Sequence, residues 1–433
     1  MATSIGSIEK ARCDARECKV ALVGFGTVGK AVAGLLAART HEHSLRLTHV
    51  FNRDICSKRV GWIGDDVQWT EDINDVLASD ADIVVELMGG LHPAYEFVRR
   101  ALLEGKSVVT ANKQLMARYG SELMQLSREK RRVLAYGACV AGGVPVLSGL
   151  HEGLGGDRLY KLCGVLNGTC NYILTKLERE GVSFDQALDE AKQAGYAEAD
   201  PTDDIDGYDA RAKLVILARA GLNAEVNSEQ VVCRSIRRLT KTDFEYAHQM
   251  GYTIRQISRA EVEDGVLYAA VEPALVPHDS PLAKLEGSQN LVVSTGEFGG
   301  ETVFSGHGAG GNPTAVAVVS DLLHVVRSQA QLAMEPDRPR PRQYEVSSDF
   351  EAARYMRFVV RDAPGIIAAL AGVLAKHELN IDSILQQPGH GKSALPFVVS
   401  LEPCRTASLD VALNEISRFE FLTEPPLSMP ILA

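Results

Sequence analysis

Three patterns in the 433-residue sequence predict a multidomain chain of the α/β class, parallel in its first part and α+β in its second. Near the start an apolar strand runs straight into a glycine-rich turn and a helix, and strand–helix alternation follows. In the middle, four strand-like stretches separated by Gly-containing turns predict an antiparallel sheet. After a Pro-rich charged stretch, a shorter strand–helix–strand–strand–helix pattern closes the chain. At this length two or three domains are expected rather than one core.

Composition narrows the function classes. Hydrophobic residues make up 45% and charged residues 23%, ordinary values for a globular protein. A formal net charge of -11 argues against a nucleic-acid or anionic-membrane binder, because phosphate binding draws on clustered Lys and Arg. The eight cysteines, at 13, 18, 56, 139, 163, 170, 233 and 404, form no C-x-x-C pair and no zinc spacing. They read as reduced thiols. Met1–Lys19 has no apolar core of a signal peptide, and the longest clean apolar run, Ile366–Ala375, is about half a membrane span. A cytoplasmic protein with no membrane partner is expected.

Lys19-Val20-Ala21-Leu22-Val23 is the first strand, and Gly24-Phe25-Gly26-Thr27-Val28-Gly29 follows at once. Val28, Ala31, Val32, Leu35 and Leu36 then recur at helical spacing, and Leu45–Phe51 is a second strand. This G-x-G-x-x-G has the strand–turn–helix context that dinucleotide binding requires. On that reading Gly24 permits the tight turn, Gly26 lets a pyrophosphate approach the backbone, and Gly29 lets the helix pack closely. The helix N-terminus offers N–H groups and partial positive charge to the phosphates. A dinucleotide-binding domain over residues 18–144 is expected.

The second strand ends in Asn52-Arg53-Asp54, with Lys58 and Arg59 behind. NAD-selective folds place an acidic residue there for the ribose 2′-OH. Arg53 instead suits a 2′-phosphate, so NADP(H) is the preferred cofactor and NAD(H) stays open. Asp82–Leu87 is strand-like, Pro93–Glu104 helical, and Ser107–Thr110 a buried strand running into Ala111-Asn112-Lys113. Ligands of open α/β sheets lie beyond the carboxyl ends of the strands. That places Gly89-Gly90 and Lys113 toward cofactor or substrate.

The pattern changes over residues 145–312, the expected substrate and catalytic domain. Gly164–Asn167 leads into a helix over Asn171–Arg179, and a polar acidic loop runs from Gly195 through Glu198, Asp200, Asp203 and Asp204 to Gly207. A helix over Tyr208–Ala220 follows, with Asp209 and Lys213 four apart on one face. Alone, that pair reads as a surface ion pair worth ~0.3 kcal/mol. Behind a carboxylate-rich loop it acquires a chemical reading. Carbonyl reduction needs a proton donor at the developing alkoxide, and a lysine serves if its surroundings moderate its pKa. Buried carboxylates are costly without a cation, so Glu198, Asp204 and Asp209 suit a substrate ammonium or a metal ion.

Thr253–Arg259, Leu267–Val276, Asn290–Thr295 and Glu301–Phe304 are the expected antiparallel strands. Gly306-His307-Gly308-Ala309-Gly310-Gly311-Asn312-Pro313 then opens a helix over 313–330 that should pack back on the first domain, Pro313 suiting a first turn. The loop is either a cover for the nicotinamide side or a structural turn. Residues 335–343 read as a linker. Beyond it come a strand over Arg354–Val360, a turn at Asp362–Gly365, a helix over Ile366–His377, strands Ile381–Leu385 and Leu395–Leu401, and a helix over Leu409–Phe419.

These segments resemble homoserine dehydrogenases over nearly the whole chain. The likeness is carried by the residue 24–29 fingerprint, Thr110-Ala111-Asn112-Lys113, Asn167-Gly168-Thr169-Cys170-Asn171-Tyr172-Ile173-Leu174, the Gly195-to-Lys213 segment and the Gly308-to-Ala315 loop. Residues 350–433 resemble an ACT domain, a βαββαβ ligand-binding fold, through Asp362, Gly365 and Asn380-Ile381. The resemblance implies a Rossmann-type first domain and hydride transfer between NAD(P)H and aspartate semialdehyde, giving homoserine. It implies Lys213 as proton donor, Asp209 and Glu198 as substrate-binding carboxylates with Asp204 in support, and Lys113 between cofactor and substrate. Gly195, Glu198 and Gly308 fall at the nicotinamide half. A homodimer and threonine as an effector are also implied, deletion from residue 343 being expected to abolish inhibition and leave catalysis.

Two positions depart from the family pattern. A monovalent cation, sodium, is commonly held there by a glutamate and backbone carbonyls. Gly137 stands at the glutamate's place, leaving the carbonyls of Val140, Gly142 and Val144, so weak or absent cation dependence is expected. His307 stands where proline is frequent. Two other classes compete: a catalytically silent dinucleotide sensor, and a phosphate-cleaving semialdehyde dehydrogenase. The latter needs a nucleophilic cysteine with a histidine base, and neither Cys139 nor Cys170 has an evident histidine partner in sequence.

Overall fold

A computed structural model of the chain describes residues 17–39, 45–329 and 341–432. Most of the Met1–Lys19 segment and most of the 335–343 linker lie outside the described residues. The chain forms two compact units, residues 1–148 with 307–340 and residues 149–306 with 341–433. Among the described residues no helix is long and apolar enough to cross a membrane.

The first unit is built on a six-stranded parallel sheet of β1 (Cys18–Val23), β2 (Leu45–Phe51), β3 (Gln68–Thr70), β4 (Ile83–Glu86), β5 (Ser107–Thr110) and β6 (Leu134–Ala135), in the order 3-2-1-4-5-6. The chain grows outward from β1 to β3, then returns to lay β4 on β1's other side. That switch opens a crevice at the carboxyl ends of β1 and β4. Both faces are covered, so β1 reads as an unbroken apolar run. Val20 and Leu22 face a cluster with Val32, Leu36, Val318, Leu322 and Val325. Ala21 and Val23 face the opposite cluster, with Val98, Leu102, Leu115 and Leu123. The helix Gly311–Gln329 thus belongs to this unit although it arrives from far along the chain. Val318, Leu322 and Val325 are wholly buried, each burial contributing about 2 kcal/mol.

The second unit contains one eleven-stranded mixed sheet. Its main path runs through the strands 300–307, 289–296, 159–165, 252–263, 266–277, 427–431, 351–360, 395–405 and 381–385. The long pair Tyr252–Glu263 and Val266–Pro277 is antiparallel and closes on Asp264-Gly265, both at positive φ (49° and 82°), as a tight hairpin turn requires. One face of the sheet carries the helices Gly168–Glu180, Phe184–Gln193 and Lys241–Gln249, whose Leu174, Leu177, Leu188 and Phe244 share a core with Tyr355, Val398, Leu427 and Met429. The C-terminal strands lean their other face on the helices Ile366–Lys376 and Thr406–Ile416. With the closing strand Leu427–Ile431 this is a βαββαβ module.

That module is joined to the middle of the chain by more than sheet continuity. Asp243 is wholly buried, and its carboxylate receives Arg357 Nη1 at 2.6 Å and Tyr355 Oη at 2.9 Å. Burial pushes the Asp243 pKa up, and Arg357 works against that rise. Among the elements outside the expectations are the strand Leu159–Val165 and the helices Lys113–Glu129, Phe184–Gln193 and Lys241–Gln249.

Candidate active site

The glycine-rich turn has three glycines with three distinct geometries. Gly24 has φ of 107°, and a Cβ there would stand 2.8 Å from the Leu87 carbonyl carbon. Its N–H donates to Phe51 O at 3.0 Å, tying the turn to the end of β2. A Cβ on Gly29 would meet Gly24 O at 2.4 Å, so the first helical turn closes on the strand end only as glycine. A Cβ on Gly26 would meet nothing within 4 Å. The space beside Gly26 is open, as close approach of a phosphate requires. Phe25 is wholly buried edge-on against Trp69, with centroids 4.9 Å apart, and fixes the turn. Thr27 and Val28 begin the helix Thr27–Arg39.

Arg53 is exposed two residues beyond β2. The neighbouring Asp54 carboxylate accepts from Ser57 Oγ at 2.6 Å and Ser57 N at 3.2 Å, bonds that lower its pKa. At the end of β4, Glu86 is fully buried and accepts from Thr110 Oγ1 at 2.6 Å and Met88 N at 2.8 Å. Burial raises its pKa, and these bonds hold part of the rise back. Asn112 donates to Gly90 O at 2.6 Å and caps the helix Lys113–Glu129 by accepting from Leu115 N at 3.1 Å. Lys113, half-buried, is therefore delivered at the carboxyl edge of the sheet by a cap braced on both sides. The sequence signal for Glu86 is a carboxylate ending an otherwise apolar strand.

The 137–145 segment takes a form of its own. Ala141 has φ of 49°, Val144 O accepts from Val146 N at 2.7 Å, and Gly143 N donates to His307 O at 3.1 Å. A Cβ on Gly142 would lie 2.8 Å from Thr314 Oγ1 and 3.2 Å from Gly308 O. At Gly137 the space of a side chain is filled by Asp321, whose Oδ1 would sit 2.6 Å from a Cβ. Asp321 accepts from the Gly137 and Ala138 N–H groups, and burial raises its pKa to about 7. Its Oδ2 is buried without a hydrogen-bond partner among the described residues. Sequence reasoning missed this residue.

The second unit gathers the acidic loop and the lysine. Asp204 lies on the short helix Thr202–Ile205 and Asp209 on the helix Tyr208–Gly221, with Gly207 between them at φ of 87°. Lys213 Nζ donates to Asp209 Oδ2 at 2.7 Å and to Leu166 O at 2.7 Å. The pair is largely withdrawn from water, with side chains 12% and 7% exposed. It is therefore not the surface pair that its spacing alone suggests. Asn167 Nδ2 donates to both Asp204 Oδ1, at 2.6 Å, and Asp209 Oδ2, at 2.9 Å. Glu198 and Gly195 are exposed on the adjoining loop, which Thr169 Oγ1 anchors through Tyr196 O at 2.7 Å. Asn167 is the second residue that sequence reasoning left without a role.

Neither candidate nucleophilic cysteine is placed to act. Cys139 and Cys170 are buried, donate to Thr110 O (3.4 Å) and Asp204 O (3.1 Å), and have thiol pKa values pushed well up by burial. An attacking thiolate needs the opposite environment. A glycine fingerprint on a parallel sheet together with a sequestered lysine–carboxylate cluster defines an NAD(P)-linked oxidoreductase acting on a CH–OH group.

Comparison with known proteins makes the class specific. Residues 24–136 match the family model for the homoserine dehydrogenase NAD binding domain, 145–323 that for homoserine dehydrogenase, and 354–421 that for the ACT domain. The chain is 36% identical to the homoserine dehydrogenase of Synechocystis over 96% of its own length and 99% of the relative's. A crystal structure of homoserine dehydrogenase from Thiobacillus denitrificans superposes with a TM-score of 0.87 at 31% identity, covering 96% and 98% of the two chains. A hyperthermophilic archaeal homoserine dehydrogenase in complex with NADPH gives 0.63 at 28% identity, covering 75% of this chain and 99% of that one. The chain belongs to the homoserine dehydrogenase family.

Proposed function

We propose that the chain interconverts L-aspartate 4-semialdehyde and L-homoserine with NADP(H) as preferred cofactor and NAD(H) as a poorer one. Residues 18–144 would bind the cofactor, 145–312 the substrate and 350–433 an effector. The observation that carries the chemistry is the buried Lys213–Asp209 pair. An ammonium has three N–H bonds, and Lys213 gives two to Asp209 and Leu166 O. The third is left to donate to the aldehyde oxygen as negative charge develops there. Asp209 fixes the ammonium's direction. The bound nicotinamide supplies the hydride that reduces the aldehyde carbon. Asp204 and Glu198 receive the substrate's α-ammonium, and Lys113 assists between cofactor and substrate. Gly24, Phe25, Gly26, Thr27, Val28 and Gly29 form the pyrophosphate cradle, with Gly195, Glu198 and Gly308 toward the nicotinamide.

The NADP(H) preference rests on exposed Arg53 and on Asp54 being occupied by Ser57; the archaeal relative in complex with NADPH agrees with it. Weak or absent sodium dependence follows from Gly137 and from Asp321, whose carboxyl is half-neutral near pH 7 and so a poor cation ligand. The free cysteines among the described residues suit a cytoplasmic location, and a role in threonine, methionine and isoleucine formation follows from the product. Homodimer formation is proposed from family likeness. Threonine is the proposed effector, at a cavity of about 290 Å³ lined by Asp362, Ala363, Gly365 and Ile366. Deleting the module would uncover Leu174, Leu177, Leu188 and Phe244, so the cleaner test is Gly365→Val with threonine inhibition as readout.

Oxidation of homoserine with NADP and with NAD, by the parent and by Arg53→Glu, tests the reading. Turnover with NADP ahead of NAD, reversed by Arg53→Glu, is the expected result. Cofactor binding without turnover of homoserine would return the chain to the sensor class.

A further inference from the structure

The helix Gly168–Glu180 begins at Asn167, whose Oδ1 accepts from Cys170 N at 2.8 Å. Aspartate or serine would cap about equally well, so the cap does not require an amide. What requires it lies on its other side. With Oδ1 committed to an N–H, the NH₂ group must point the opposite way, and both of its hydrogens go to carboxylates, one to Asp204 Oδ1 and one to Asp209 Oδ2. Asn167 is 3% exposed, so water does not substitute for either bond. The orientation is fixed by bonding rather than by choice of rotamer, because the flipped amide would set its N–H against Cys170 N–H and its oxygen against two anions.

We propose that Asn167 is a positioning residue for the reaction: its amide sets the Asp204 and Asp209 carboxylates relative to each other, so that Asp209 holds Lys213 on line and Asp204 faces the substrate's ammonium. This rests on the reading of Lys213 as the proton-transfer group. The charged and titratable groups facing the amide are Asp204, Asp209, Lys213 and the buried Cys170 thiol. The amide thus bridges the two carboxylates while Lys213 pairs with Asp209 alone, and neighbouring like charges without a shared donor disfavour one another's ionised form.

The test is Asn167→Asp, which preserves the cap at Cys170 N and nearly the same volume while replacing the shared donor by a third carboxylate. Added negative charge raises the proton affinity of every neighbour, so the acid limb of kcat/KM for homoserine should move up by about one pH unit. The kcat should fall by about 10²-fold, with cofactor binding near the parent's and a lower melting temperature from the added buried charge. Asn167→Ser keeps a capping hydroxyl too short to reach both carboxylates, and should lose rate without the limb shift. It also keeps the proposal falsifiable if the aspartate variant does not fold. Parental kcat and pH profile in either folded variant would overturn the assignment. Lys213→Met is run alongside: its collapse with unaffected Asn167 variants defeats only this inference, whereas parental turnover in Lys213→Met defeats the reading beneath it and the inference together.

Discussion

Replacing Asp321 with asparagine should flatten a pH dependence that the first unit's stability otherwise carries. The Asp321 carboxyl sits against the Gly137 and Ala138 N–H groups, its Oδ2 is buried without a partner among the described residues, and burial takes its pKa from the usual 3.8 to about 7. Between those values the folded state holds a proton that the unfolded chain has released, so stability falls as pH rises from about 4 to about 7 and stays low above. At about 1.4 kcal/mol per pH unit, the full effect is about 4 kcal/mol, of which about 3 falls between pH 5 and pH 8. Asparagine keeps the acceptor oxygen and does not titrate. Its NH₂ replaces the orphan oxygen with an unpaired donor, a pH-independent cost of about 1–3 kcal/mol. The quantity to measure is the variant-minus-parent difference in unfolding free energy across pH, in which the other groups cancel. Both tryptophans, Trp62 and Trp69, lie in the first unit, so urea unfolding followed by their fluorescence reports on the right core. A difference that moves toward the variant by about 3 kcal/mol is expected. A flat difference, or one that favours the parent with rising pH, would refute the reasoning.

Two further outcomes follow from packing. Gly26→Ala should leave the ligand-free melting temperature near the parent's, because its Cβ meets nothing within 4 Å, yet should lose most of the stabilisation that NADP gives; Gly29→Ala, whose Cβ meets Gly24 O at 2.4 Å, should destabilise the free protein itself. Thermal melts with and without cofactor separate the two. Asp243→Ala leaves Arg357, which is 4% exposed, with only the more exposed Glu424 as ionic partner, and should cost about 3 kcal/mol. Asp243→Leu combined with Arg357→Met should cost less than the two single changes summed, as measured by a double-mutant cycle.

The first unit was legible because a parallel strand buried on both faces leaves an unbroken apolar run, and because Gly24, Gly26 and Gly29 fall in the one local context that gives the motif meaning. The strand Leu159–Val165 was not legible. Lys161 and Gly164 break its pattern, and Gly164 is there because a Cβ would meet the neighbouring strand at Leu291 O, 2.4 Å away. Pairs four apart on a helix announce themselves, so Asp209 and Lys213 were found. Asn167 meets its carboxylates across 37 and 42 residues, and Arg357 meets Asp243 across 114. Such contacts are set by how sheets close, which no local spacing encodes. For the same reason the depth of the Lys213–Asp209 pair, which separates it from a surface ion pair, came only with the fold.

The most direct test of the central claim is homoserine oxidation by the parent and by Lys213→Ala, with cofactor affinity measured on both. The account predicts turnover by the parent, a loss of about 10²–10⁴-fold in kcat for the variant, and unchanged cofactor binding. A Lys213→Ala protein that oxidises homoserine at the parental rate would contradict it.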